Sequence, residues 1–383
     1  MALAEAAKLT HSPSPATRAP APECEEDSGM QAVGLRSSEP LNLKEGQLVE
    51  VRGPEEILAT LDDRCELDCL PFMPEMLQYC GRRFTVASVA NKLCDTMTRS
   101  GMRRMHNAVH LIGVRCDGQA HGGCQASCLM YWKEAWLKPV ASATSAQPVP
   151  TPPDASRVLP ILVAASRRLS SNGGEAYSCQ ATELLRAAPE RLPVRDLAQY
   201  VRDVRSRNVG VLSSARALFV GLFNRYQHLS GRILPRPLLI RGGRQWRFLK
   251  GTADKTPNTR TDLQVGELVR IKSKDEIMKT LNADLLNRGM GFDAEMSRFC
   301  GQIARVARRV DRIINERTGE MLEMRNPCIV LEDVFCEGVY NSSCPRAIPP
   351  YWREVWLERV ADPTASAKAL SGQTGRTSAA SST

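Results

Sequence analysis

Four cysteines and one histidine in the first half of the chain have types and spacing that suit a metal site. The cysteines are separated by 21, 7 and 3 residues, and the histidine stands between the second and third thiol, just before a glycine pair. Four thiolates, or three thiolates and an imidazole, are the ligands that tetrahedral zinc prefers. The candidate ligands are Cys94, Cys116, His121, Cys124 and Cys128.

The same cysteines fit two other interpretations. Four thiolates also bind iron–sulfur clusters. Free cysteine is among the most buried residue types, so reduced core cysteines or a disulfide would need no metal. The paired C-x2-C motifs typical of zinc modules are missing here. We therefore expect zinc, with an iron–sulfur cluster and unmetallated cysteines as alternatives.

Residues near these ligands are candidates for supporting roles. A carboxylate beside a ligand can orient it, and a second histidine can replace a thiol. A cysteine at a helix start has a lowered pKa, which suits an extra ligand or a redox thiol, although packing is the simpler role. Positive-φ glycines would let the backbone wrap an ion. These residues are Asp117, His110, Cys179, Gly118, Gly122 and Gly123.

The chain contains an internal repeat. Residues 46–140 align with 266–360 without a gap, at a constant offset of 220, and 26 of the 95 aligned residues are identical. The match ends in two shared tryptophans, in YWKEAWL and YWREVWL. Self-similarity of this length predicts tandem copies of one fold.

The repeat separates the cysteines that both copies share from those found only in the first. Cys80, Cys116 and Cys124 have cysteine counterparts in the second copy. The second copy has isoleucine at the positions of Cys94 and Cys128, and asparagine at that of His121. We therefore expect the metal site in the first copy alone, and a buried one.

Short patterns predict the elements of each copy. LVEV and LVRI alternate as strands do. Ser273 and Glu276 have capping-box spacing, and Pro54 suits a first helical turn. RVARRVDRII, the turn NERTG and PCIVLEDV predict a hairpin with Gly319 in the turn. The spacing of Trp132, Trp136, Leu137 and Val140 predicts a terminal helix that begins near Cys124 and Cys128.

These elements predict an α+β protein with two tandem copies of a small, bent β-barrel, SH3-like by analogy, joined by a helical segment. Within the middle segment we expect helices over 178–188, 194–206 and 212–228. The predicted organisation is a disordered tail at 1–40, a repeat at 45–140, a proline-rich linker at 141–156, a basic helical segment at 157–250, a repeat at 265–360 and a tail at 362–383.

Charge is concentrated in the middle of the chain. Residues 150–260 hold 19 Lys and Arg against 7 Asp and Glu, a balance of +12 in a chain of net charge +9. Such a block fits a protein partner, an anionic small molecule or nucleic acid, or a solvated helix face. Its turn RGGR and the nearby Arg247 give a candidate basic surface, Arg241, Arg244 and Arg247.

The sequence offers no membrane or secretion signal. No apolar run approaches the ~20 residues needed to span a bilayer, and the acidic N-terminal region lacks the apolar core of a signal peptide. We expect a cytoplasmic protein without a membrane partner. Thirteen cysteines then point to metal or redox chemistry rather than to a disulfide framework.

The box CDG…AHGGCQ…C…WKE.WL, with the second copy and the basic middle, resembles an uncharacterised group of bacterial proteins with two tandem domains of this type. No activity is known for that group, and we expect its members to accompany biosynthetic gene clusters. The resemblance implies an accessory role in a biosynthetic pathway.

Three functions remain open on the residues. The first is a two-repeat binding or accessory protein with a structural zinc. The second is a metal- or iron–sulfur-dependent enzyme that uses the Cys/His cluster. The third is nucleic-acid binding through the basic middle segment. No nucleotide-binding or hydrolase motif is present, and this favours the first.

Overall fold

The structure is a computed structural model that describes residues 40–140 and 154–361. The predicted tails, and most of the predicted linker, lie outside the described residues. Helices and strands both occur, as expected for the predicted α+β class.

The first repeat is made of short strands around one helical turn and two 3-10 turns. Five of its strands form an antiparallel sheet in the order β8-β7-β4-β1-β9, and β5 and β6 pair separately. The elements are β1 (Leu48–Val51), α1 (Pro54–Leu58), β2 (Glu66–Leu67), β3 (Leu70–Pro71), a 3-10 turn (Pro74–Tyr79), β4 (Arg83–Val89), β5 (Lys92–Cys94), β6 (Met102–Arg104), β7 (Ala108–Leu111), β8 (Trp132–Lys133), a 3-10 turn (Glu134–Trp136) and β9 (Leu137–Pro139).

The middle segment combines helices with short strands. The expected helices at 194–206 and 212–228 are present as α4 and α5, but only four residues of 178–188 are helical, and a preceding helix and hairpin were not expected. No helix among the described residues is long and apolar enough to cross a bilayer. The elements are α2 (Val158–Ser166), β10 (Arg167–Leu169), β11 (Glu175–Tyr177), α3 (Leu184–Ala187), β12 (Arg191–Leu192), α4 (Ala198–Arg205), α5 (Val211–Ile233) and two 3-10 turns (Arg236–Leu238 and Ile240–Gly243).

The second repeat has the same strand order as the first at the same offset. Its sheet runs β17-β16-β13-β18, which matches β7-β4-β1-β9. The elements are β13 (Leu268–Ile271), α6 (Lys274–Met278), β14 (Leu286–Asn287), β15 (Met290–Gly291), a 3-10 turn (Met296–Arg298), β16 (Ile303–Ile314), β17 (Met321–Leu331), a 3-10 turn (Glu354–Trp356) and β18 (Leu357–Arg359).

Several local predictions are confirmed. The strands LVEV and LVRI form β1 and β13, and Pro54 opens α1. The Ser273 hydroxyl accepts a hydrogen bond from the Glu276 backbone N–H, which completes the capping box of α6. The β16–β17 hairpin turns through Gly319, whose φ of +77° is in the region that glycine adopts without strain.

The predicted tryptophan helix is wrong. Trp132 lies on β8, the next residues make a 3-10 turn, and Leu137 begins β9. Both indoles are fully buried and pack edge-on against the ring of Phe72. The helix-like spacing therefore arises because a strand–turn–strand segment places both rings on one side, toward the same core.

The two repeats meet across an approximate two-fold axis. The Thr96 hydroxyl donates to the Glu316 carboxylate at 2.6 Å, and 316 is the position equivalent to 96. The Arg115 guanidinium lies 4.2 Å from the ring centre of Phe335, again its own counterpart. Contacts between equivalent positions are what a self-complementary interface produces. These two contacts are thus of the kind that an approximate two-fold axis between the repeats produces.

Candidate metal centre

The loop between β7 and β8 carries the clustered ligands. The Cys116 N–H donates to the Cys128 carbonyl at 2.9 Å, which closes the base of the loop. The Gly118 carbonyl then accepts from the N–H groups of His121 at 3.2 Å and Gly123 at 2.9 Å. These bonds fold the loop back on itself, so the histidine returns to the side of the first thiol. No part of the loop is helical, so the prediction of Cys124 and Cys128 at the start of a helix is wrong.

The loop requires glycine at position 118. Substitution of Gly118 can therefore be compared with the same substitution at Gly123. Gly118 has φ +73°, and a Cβ there would lie 2.0 Å from the Cys124 carbonyl oxygen. Gly123 has a similar φ of +70°, but a Cβ there would meet nothing within 4 Å. Both changes to alanine cost about 1–2 kcal/mol of backbone strain. We expect Gly118→Ala to lose about 1–3 kcal/mol more, from overpacking.

Denaturant unfolding of both glycine variants, with metal content measured alongside, checks this difference. Equal losses in Gly118→Ala and Gly123→Ala would show that the loop does not need its close approach at Gly118.

The His121 imidazole is held between a carboxylate and a thiol. Its Nε2 lies 3.5 Å from the Cys116 Sγ. Its Nδ1 lies 2.7 Å from the Glu75 Oε1, which is an ion-pair distance, but the contact lacks hydrogen-bond geometry. Zn–S and Zn–N bonds of ~2.3 and ~2.0–2.1 Å at a tetrahedral angle separate S and N by about 3.5 Å. The thiol and imidazole are therefore already spaced as two ligands of one zinc ion.

Two further contacts fix this arrangement. The Glu75 Oε1 also accepts from the Ala120 N–H at 3.0 Å, so the carboxylate is tied to the loop as well as to the ring. The second thiol, Cys124, interacts with the His121 ring and accepts from the Ile314 N–H of β16 at 3.4 Å. His121 and Glu75 are both buried, at 2% and 6% exposure.

The electrostatics of the cluster are those of a buried ligand set. Burial opposes the charged form of His121, but its contacts with Cys116, Cys124 and Glu75 outweigh burial and raise its pKa. Burial raises the pKa of Cys116, with His121 acting against it. For Cys124, burial is outweighed by His121 and by backbone N–H groups, so its pKa is lowered. These contacts shift the protonation equilibrium of Cys124 toward the thiolate.

Two more thiols complete the surroundings. Cys116, His121, Cys124, Cys128 and Cys179 all line one cavity of about 60 Å³ between the repeats. Burial raises the pKa of Cys128. Burial also raises the pKa of Cys179 to about 11, and the nearest helix begins only at Leu184, so the lowered pKa expected for Cys179 at a helix start is wrong. Glu75, Cys116 and His121 form the group among the described residues whose ligand atoms lie mutually within 4.8 Å. Because Glu75 contacts Nδ1, it is placed to orient the ring while Nε2 faces the thiols.

Three of the sequence candidates lie outside this cluster. Cys94, on β5, faces Cys344 of the second repeat, and its N–H donates to the Cys344 Sγ at 3.2 Å. His110 is buried on β7, where its Nδ1 contacts the Met130 carbonyl at 3.0 Å; burial lowers its pKa to about 4. Asp117 is exposed and accepts from the Gln119 N–H at 3.0 Å, so it shapes the turn.

The basic surface is partly occupied by contacts within the protein. The Arg241 guanidinium lies 4.6 Å from the ring centre of Phe248. The Arg247 Nε donates to the Tyr340 hydroxyl at 2.5 Å, which joins the middle segment to the second repeat. The Arg244 carbonyl accepts from the Gln227 side chain at 2.8 Å. Nucleic-acid binding through this surface stays a prediction.

Sequence reasoning did not assign Glu75 to the site. It recurs as Glu295 in the second repeat, where the Oε1 accepts from the Tyr340 N–H at 2.5 Å, so the contact to the loop backbone is common to both repeats. Only the first repeat adds a histidine to it. The sequence feature that could have assigned Glu75 to the site is therefore an acid present in both repeats together with a histidine, His121, present only in the first. Another pair of shared acids, Glu134 and Glu354, holds the backbone that leads into β1 and β13.

No family model matches the sequence, and no curated protein matches it.

Proposed function

We propose that this chain is a metal-binding protein that holds one zinc ion at Cys116, His121 and Cys124, with Cys128 or Cys179 as the fourth ligand. The observation that carries the proposal is the buried His121 ring, oriented by Glu75 on one nitrogen and 3.5 Å from the Cys116 thiol at the other. The carboxylate–histidine pair is a recurrent way of fixing an imidazole ligand on a metal.

Zinc fits this donor set better than an iron–sulfur cluster does. Imidazole with two or three thiolates is a common tetrahedral zinc set. Iron–sulfur clusters are held by four cysteines, or by two histidines on one iron in Rieske centres. A single histidine already placed by a carboxylate matches the former. The ion would supply cross-linking of its ligands, without redox chemistry.

The proposed role of the ion is structural. Structural zinc sites are closed, with four protein ligands, whereas catalytic sites keep a position open for water or substrate. Here four thiols and an imidazole surround a small cavity between the repeats. The loop also donates from the Gln125 N–H to the Arg312 carbonyl of β16 at 3.1 Å. An ion that rigidifies this loop would therefore also hold the repeats together.

Metal analysis of the purified chain tests the proposal. Protein prepared without oxygen is expected to contain about one zinc per chain, and cobalt exchange is expected to give the visible spectrum of a tetrahedral site with thiolate ligands. Iron with a band near ~400 nm would favour the cluster alternative. An absence of any metal, with no cobalt binding, would contradict the proposal.

A thiol enzyme is the second candidate. Cys116, His121 and Glu75 contact one another in the sequence nucleophile, base and orienting acid. Cys116 would give its proton to His121 Nε2 while Glu75 holds the ring, as in cysteine hydrolases. Rapid alkylation of Cys116 by iodoacetamide at neutral pH, in protein shown to be metal-free as purified, is the result that would favour this candidate. Protection of Cys116 by bound zinc would favour the first.

The wider role that we propose rests on the sequence match and on the shared strand order. We take the two repeats to be tandem copies of one small, bent barrel, of which the first carries the metal. The chain would act as an accessory protein in a biosynthetic pathway and bind a protein partner or an anionic small molecule. Co-purification of partners with the zinc-loaded chain tests this part.

A further inference from the structure

Duplication gives the loop cysteine of each repeat a different neighbour. In the first repeat, Cys124 accepts from the Ile314 N–H at 3.4 Å. In the second repeat, the equivalent Cys344 accepts from the Cys94 N–H at 3.2 Å. Positions 94 and 314 are equivalent, so the two contacts are related by the approximate two-fold axis. Only one of them brings two thiols together.

We infer that Cys94 and Cys344 form a redox-active pair that closes to a disulfide between the two repeats. Both cysteines are free in the structure, and the Cys94 backbone N–H donates to the Cys344 Sγ at 3.2 Å. We expect rotation of the two side chains to bring the sulfurs together, since the S–S bond forms at short Cβ–Cβ separations. This inference does not rest on the proposed metal centre.

The two thiols differ in access. Cys94 is partly exposed and lines an open cavity of about 430 Å³, together with Cys336, Glu295 and residues of α5. Cys344 is 4% exposed and is not among the residues that line this cavity. A small disulfide such as oxidised glutathione therefore meets Cys94 first. Cys344 then has the position of a resolving thiol.

The charges around the pair support the same order of events. The buried Arg346 donates from Nη1 to the Cys94 carbonyl at 3.0 Å, which places its positive charge beside the pair. The hydrogen bond from Cys344 outweighs burial, and with Arg346 it lowers the pKa of Cys94. Burial raises the pKa of Cys344. A lowered pKa provides the thiolate that attacks a disulfide.

The reaction balances with a glutathione-type disulfide as oxidant. The Cys94 thiolate attacks one sulfur of oxidised glutathione, and one glutathione thiolate leaves. Cys344 loses its proton and attacks the Cys94 sulfur of the mixed disulfide, and the second glutathione thiolate leaves. The protein loses two protons and two electrons, and one oxidised glutathione takes up both to become two reduced molecules.

Peptide mapping of the full chain tests this inference. Reduced protein is treated with oxidised glutathione, alkylated and digested with trypsin and a glutamate-specific protease. Cleavage at Lys92, Arg99, Glu337 and Arg346 gives fragments 93–99 and 338–346, each with a single cysteine. We expect these two fragments to be linked, and to separate on reduction. Zinc measured on the same sample shows whether the metal centre was also oxidised.

Three variants make the test selective. Cys94→Ser should give no linked fragment. Cys344→Ser should trap glutathione on Cys94, a product expected only if Cys344 resolves the mixed disulfide. Cys300→Ser, at another partly exposed free cysteine, should behave as the wild type. Alkylation of both Cys94 and Cys344 after oxidation of the folded wild type, or linkage of either one to another cysteine, would overturn the inference.

Discussion

Replacing His121 with asparagine is expected to abolish stoichiometric zinc binding while leaving the loop backbone intact. Asparagine is the residue that the second repeat has at this position, and the Asn341 N–H donates to the Gly338 carbonyl at 2.9 Å as the His121 N–H does to Gly118. The variant therefore removes the imidazole and keeps the local fold. Structural zinc contributes ~10–16 kcal/mol of apparent binding energy in zinc-finger peptides, so loss of a ligand should be costly.

The measurements for His121→Asn are zinc content and thermal midpoint. We expect a midpoint about 4–8 °C lower, which corresponds to a loss of about 2 kcal/mol in a domain of 150–250 residues. Wild-type protein stripped with a chelator should unfold at the same lower temperature. His106→Asn is the matched control, because His106 is exposed, at 56% for its side chain, and lies outside the cluster. Full zinc retention by His121→Asn would show that this imidazole is not a ligand.

The part of the site that sequence predicts best is the part that is local in the chain. Cys116, His121 and Cys124 lie within nine residues, so their spacing alone suggests a shared ion. Glu75 contacts the His121 ring, and Cys179 lines the same cavity as that ring, although both come from distant segments. Only the packing of a 3-10 turn and of the middle segment brings them there. Cys94 lies on a strand as expected, but the approximate two-fold axis directs it to the second repeat.

In the fold too, sequence predicts the features set by neighbouring residues and misses those set by long-range pairing. Strands, caps and the hairpin turn follow from alternation, capping-box spacing and a positive-φ glycine, and all three are confirmed. The tryptophan segment was predicted as a helix because spacings of four residues cannot by themselves distinguish a helix from a turn between two strands. The long-range pairing of Trp132 with Val109, and of Leu137 with Val51, decides that segment.

Replacing Lys92 with methionine is expected to destabilise the protein strongly, by about 3–5 kcal/mol. The Lys92 Nζ lies 2.5 Å from the Asp203 Oδ2, and both residues are 0% exposed. The ammonium also lies 5.3 Å from the ring centre of Tyr200, so it joins β5 to α4. Methionine fills much of the same volume but leaves the Asp203 carboxylate buried without its cation.

A double variant separates the cost of the unpaired charge from the loss of packing. Lys92→Met with Asp203→Leu should recover much of the lost stability, because removing both charges removes the desolvation cost of each. Lys138→Met is the control: its ion pair with Glu56, at 2.9 Å, is more than 40% exposed on both sides and should contribute at most about 1 kcal/mol.

The pH dependence of Lys92→Met gives an independent check on the same mechanism. Burial already raises the pKa of Asp203 in the wild type, against the opposing effect of Lys92. Without Lys92 the pKa of Asp203 in the folded protein should rise further above its value in the unfolded chain. Between these two pKa values, Asp203 is protonated in the folded protein and ionised in the unfolded chain. Stability should then fall as pH rises through that pKa. Denaturant unfolding should therefore show a smaller loss at pH 5 than at pH 7, and an equal loss at both would contradict a buried, unpaired Asp203.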